Sequence, residues 1–101
     1  MHDRQRLFVV KYVPCRSDFL ATITAEEGAQ IEAHFAYLLN FHDRGVLQFA
    51  GRCEDASFGI AIFAADSLQA AQGLVDDDPA VRSQVFTADV HEFKIALGSF
   101  A

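Results

Sequence analysis

The chain has no tryptophan, one methionine, two cysteines, two prolines and six scattered glycines among 101 residues. Each scarcity removes a class of function. Cys15 and Cys53 are too few, and too far apart in sequence, for a metal knuckle or a disulfide framework, so they read as reduced and structurally minor. Glycines standing singly leave no phosphate-cradling loop and no Gly-x-Ser-x-Gly elbow, which sets nucleotide binding and serine-hydrolase chemistry aside. His2, His34, His42 and His91 form no metal motif, because even His34 and His42 would stand about 12 Å apart along one helix. Cations are scarce too. Lys+Arg at 8 against Asp+Glu at 14 gives a net charge of −6, the wrong sign for nucleic acid or an anionic lipid surface as a partner. No apolar run approaches the roughly 20 residues of a membrane helix, and the start Met1-His2-Asp3-Arg4 lacks the layout of a signal peptide. No membrane association and a cytoplasmic location are therefore expected.

Apolar residues are abundant, at 51% of the chain with ten Phe, which is enough for one packed core over a single domain spanning residues 1–101. Leu7 to Val13 is a β-branched and aromatic run stopped by Pro14, the pattern of a strand. Thr24 followed by Glu27 has capping-box spacing, and Ile31, His34, Phe35 and Leu38 recur at helical intervals until Asp43-Arg44-Gly45 ends the row. Val46 to Ala50 and Ser57 to Phe63 read as a hairpin across the polar turn Arg52 to Ala56. Asp66-Ser67 caps a second helix whose inner face holds Leu68, Ala71, Leu74 and Val75, and Pro79 forces Asp78 out of the helical region. After a short turn, Phe86 to Leu97 supplies a last extended segment bearing Val90, Phe93 and Ile95.

The order is βαββαβ, an α+β, ferredoxin-like arrangement in which an antiparallel sheet carries both helices on one face. Its other face should normally be wet, yet Leu7, Val9 and Val13 oppose Phe8, Val10 and Tyr12, and strand three is apolar on both sides. Pairing two such faces in a homodimer buries them. Cys15 and Cys53 fall at one end of the sheet with a strand between them, about 9.5 Å apart and beyond disulfide reach.

His34 places a polar ring in the apolar stripe of the first long helix. It is either a satisfied core histidine or a proton carrier, the one side chain whose proton moves near neutral pH. Asp76-Asp77-Asp78-Pro79 puts three acids at a helix C-terminus, where the dipole disfavours them. Asp78 either caps the turn after Pro79 or reaches across to orient His34. The second needs an axial offset on the order of 10 Å to be removed. Arg52 reads as a solvated turn residue or as a rim cation for a carboxylate or phenolate. Tyr12, Tyr37 and Ser57 are candidate pocket groups and equally ordinary packing or turn residues.

A first strand ending at a proline, His34 in mid-helix with Tyr37-Leu38 after it, Gly45-Val46-Leu47 leading to Gly51, Ser57-Phe58-Gly59, and Asp78-Pro79 ahead of Val85-Phe86 together resemble the YCII-related proteins. The resemblance implies a dimeric α/β barrel and a histidine–aspartate pair at His34 and Asp78. The chain departs from the family where Gly51-Arg52 replaces a common Gly-Pro, Ala80 an aromatic, and Gln84 a glycine. These readings converge on a small enzyme needing no cofactor or metal, in which His34 and Asp78 move a proton on a small cyclic or aromatic organic acid, as a lyase or isomerase does. A dimer that binds or senses a small ligand without catalysis is the alternative.

Overall fold

The structure, a computed structural model, describes residues 5–98, so His2 and the start of the chain lie outside the described residues. Strand β1 (Leu7–Pro14) is followed by a short helix α1 (Phe19–Thr22) and the long helix α2 (Ala25–Asp43). The hairpin β2 (Leu47–Arg52) and β3 (Gly59–Ala64) leads to α3 (Leu68–Asp76), α4 (Pro79–Arg82) and β4 (Phe86–Phe93). The strands form one antiparallel sheet in the order β2-β3-β1-β4. This is the expected ferredoxin-like α+β arrangement, with α1 and α4 added at its connections. Its strand order also keeps Cys15 and Cys53 apart, and both are free thiols.

Period-two alternation sorts the central strand. Phe8, Val10 and Tyr12 are buried, and Val10 and Tyr12 join Ala61, Phe63, Leu38, Phe41, Leu47 and Val75 in the main core. On β4 the inward row Phe86, Ala88 and Val90 packs on that core, whereas Thr87, Asp89 and His91 are exposed. The second face is consequently less apolar than the sequence suggests. Its centre pairs Val9 with Ile62, but Lys11 and the polar row of β4 border it, and Ile62 is already 1% exposed within the chain.

Two helix stripes differ from expectation. Phe35 is 66% exposed because the buried stripe of α2 runs through Leu38 and Phe41, and Phe35 is turned away from it by the helical rotation. Leu68, in the first turn of α3, is 49% exposed, ahead of the buried Ala71 and Val75. The last strand ends at Phe93, and Leu97 is almost wholly exposed.

Local chemistry sets the element ends. The α2 capping box is complete, with Thr24 accepting from the Glu27 N–H and Glu27 accepting from the Thr24 N–H. Gly45, at φ 78°, turns the chain from α2 into β2. Gln84 also has positive φ, 65°, a conformation that glycine adopts freely and glutamine does not.

Arg16 grips Glu27 through two bonds of 2.7 Å and donates to the Thr22 carbonyl, tying the β1–α1 connection to α2. Arg16 first, and the capping backbone second, pull the Glu27 carboxyl from about 4.5 down to about 2. Because the folded value is the lower one, the unfolded chain binds the extra proton in that window, so Glu27 stabilises the fold above pH 4.5 and ceases to as pH falls towards 2. Denaturant midpoints measured across this range should fall more steeply for the native chain than for Glu27→Gln; equal slopes would contradict the assignment.

Candidate functional site

Pro79 cannot continue α3, so the chain leaves that helix at Asp78 with φ −66° and ψ 127° and begins α4 immediately. Asp78 is thus the N-cap of α4, its Oδ1 accepting from the Ala80 N–H at 2.9 Å. Its Oδ2 lies 2.6 Å from His34 Nδ1. Cap and histidine partner, posed as alternatives by the sequence, are both satisfied by one carboxylate with two oxygens. The axial offset between the two residues is closed by α4, which folds back and packs against α2.

Asp78 is fully buried while the His34 side chain retains 13% exposure. A carboxylate without solvent needs charge-assisted bonds, and these two supply them. The carboxylate accepts, so the neutral imidazole carries its proton on Nδ1. Nε2 is then a lone-pair acceptor, and it has no partner among the described residues. His34 lines a cleft of about 680 Å³ between α2 and the β2–β3 hairpin, together with Tyr12, Leu38, Phe58 and Phe86 among others. The Tyr12 ring stands edge-on to the imidazole at 5.1 Å and 79°, and the Phe86 ring does the same at 5.3 Å and 82°. Asp78 and two aromatic rings thereby hold one ring orientation.

The remaining sequence candidates divide. Tyr12 lies in the cleft wall, 5% exposed, and its hydroxyl has no partner among the described residues. Burial first, then the neighbouring Asp78 charge, raise its pKa far above the ordinary phenol range, so it stays a neutral donor. Tyr37 is not part of the cleft lining: its hydroxyl donates to the Leu74 carbonyl at 2.5 Å, bracing α2 against α3, and burial pushes its pKa up to about 12. Ser57 is also outside the lining, exposed in the hairpin turn with its N–H donating to Asp55. Arg52 does line the cleft, but its Nη1 donates to the carbonyls of Cys53 and Glu54 and closes its own turn.

Two contributors escaped the sequence reading. Phe86 reads as an ordinary strand residue, and only the β1–β4 register sets it opposite Pro14 and beside His34. Phe19, 4% exposed in α1, packs on Phe86 and lines the cleft; Asp18 at its N-cap position was the available signal. Among the described residues no group of three or more His, Cys, Asp or Glu is placed to hold a metal ion. No helix among them is long and apolar enough to cross a membrane.

The YCII-related domain matches residues 8–94, nearly the whole chain. No curated protein matches the sequence. Among solved structures, the 5-chloro-2-hydroxyhydroquinone dehydrochlorinase of Burkholderia phenoliruptrix, in complex with 2,5-dihydroxybenzoquinone, is similar with a TM-score of 0.65 and 22% identity. The likeness covers 87% of this chain and 93% of that one, and it establishes the shared fold.

Replacing Asp78 by Asn keeps an oxygen for the Ala80 N–H but turns a donating amide towards His34. The imidazole must then accept at Nδ1 and carry its proton on Nε2. Nitrogen-15 correlation spectra of the ring should show the Nδ1–H tautomer in the native chain and Nε2–H in Asp78→Asn. The same tautomer in both would remove Asp78 as the orienting group.

Proposed function

The chain belongs to the YCII-related domain family, and from that membership and its buried histidine–aspartate pair we propose that it is a small enzyme of the lyase or isomerase type, moving a proton on a hydroxylated ring compound. One observation carries the reading: His34 lines the cleft with its Nδ1 committed to Asp78, which leaves Nε2 as the ring's acceptor. Nε2 takes the proton of a ring hydroxyl, and the electron pair of that O–H bond becomes part of a carbonyl. The displaced ring π pair takes the proton at a ring carbon, completing a keto–enol isomerisation; where that carbon bears a halogen it is now tetrahedral, and loss of a second ring hydroxyl's proton pushes its electron pair through the ring to expel the halide, completing an elimination. The imidazolium formed in between is held by the Asp78 carboxylate. The step is redox-neutral and calls for no electron carrier. That a relative of the same fold acts on a hydroxylated, chlorinated ring supports the substrate class.

Screening hydroxylated hydroquinones and quinones, with and without a ring halogen, by absorbance or halide release is the direct assay. His34→Asn should lower kcat roughly 10²–10⁴-fold while the fold is kept, because the amide retains hydrogen bonds but cannot shuttle a proton. Full turnover by His34→Asn would end the proton-transfer reading and favour a binding protein.

The cleft-bearing subunit is further proposed to pair with a second copy through the open sheet face, around the partly exposed Leu7 and Val9. Sedimentation should give about twice 11.1 kDa, and Val9→Asp, which sets a charge in that contact, should shift it to the monomer. A native monomer at micromolar concentration would refute the pairing.

A further inference from the structure

The cleft is far larger than the ring at its centre requires. An apolar cavity of roughly 150 Å³ accommodates benzene, whereas this one measures about 680 Å³. The excess space is apolar. Its inner end is closed by Phe19, Ile31 and Phe86. Its mouth is rimmed by Leu20, Phe35, Leu39 and Phe49, which are 56%, 66%, 47% and 41% exposed. Four large apolar side chains held in water around one opening are costly unless something covers them. They are continuous with the floor beneath His34, and Phe35 and Leu39 follow His34 on α2 by one and five positions. Among the described residues Arg52 is the one Arg or Lys in the lining, and its Nη1 is engaged by its own turn.

We infer that this cleft takes an amphipathic substrate, a phenolic or enolic ring head at His34 Nε2 carrying an apolar alkyl-like tail that lies over Phe35 and Leu39 and covers the mouth. The inference rests on the proton-transfer reading for the head and adds the tail, which nothing in that reading requires. A neutral hydroxyl suits the head because, with Nδ1 committed to Asp78, Nε2 is the proton acceptor the ring has left to offer.

Calorimetric titration of the full chain with 4-ethylphenol, 4-butylphenol and 4-hexylphenol reads the tail directly. Kd should tighten roughly three- to fourfold per added methylene, the ratio set by about 0.8 kcal/mol per buried CH₂. Because Phe35 and Leu39 are exposed, Phe35→Ser with Leu39→Ser should keep the fold, checked by circular dichroism, yet flatten that dependence to less than twofold per methylene. A Kd independent of tail length overturns the inference, and so does a tail dependence unchanged in the double variant, since the tails then lie elsewhere. His34→Asn separates the two readings: if it abolishes turnover while tail length has no effect on Kd, the enzyme stands and the amphipathic substrate falls. If it leaves turnover intact while the tail dependence persists, the proton-transfer role falls and the apolar site stands.

Discussion

A carboxylate with no solvent contact is the constraint on which the rest of the structure depends. Asp78 is 0% exposed, and an unpaired charge there would be prohibitive. Two donors resolve it, and each has a structural consequence. The Ala80 N–H makes Asp78 the start of α4, so the chain must turn at Pro79 instead of extending α3. The His34 Nδ1–H pins the middle of α2 to that turn across 44 residues of sequence. The third consequence is chemical, since a ring whose Nδ1 is committed has only Nε2 left to offer to the cleft.

The environment of the pair separates what is fixed from what is free. Tyr12 and Phe86 flank the imidazole, Tyr37 locks α2 to α3 through Leu74, and Arg16 locks the start of α2 to the β1 connection. An imidazole held from three sides has little freedom left to lose, which is what the proposed proton transfer needs. The opposite side of the cleft is mostly apolar, and there the fold supplies chiefly contact area.

Much of this was legible in the residues. The capping box at Thr24 and Glu27, the break at Pro79 and the alternation of β1 are local signals, and local signals survive into the fold because each is satisfied within a few residues. The pairing of His34 with Asp78 was legible only as a possibility, because spacing along two helices says nothing of how the chain turns at Pro79 and packs α4 against α2. Tyr37 and Ser57 looked like site groups because polar atoms near apolar runs have several possible partners; the structure gives Tyr37 the Leu74 carbonyl and Ser57 a turn carboxylate. Phe35 looked buried because hydrophobicity reports what a side chain would prefer, while the rotation of α2 turns it away from the buried stripe of Leu38 and Phe41. Phe86 and Phe19 belong to the site through strand register and a four-residue helix, neither of which leaves a periodic trace.

The most direct test of the central claim is a crystal structure of the chain soaked with 2,5-dihydroxybenzoquinone. A ring oxygen about 3 Å from His34 Nε2, with Nδ1 still bonded to Asp78, is the expected result. A ring bound outside the cleft, or a His34 side chain turned away from Asp78 in the complex, would contradict it.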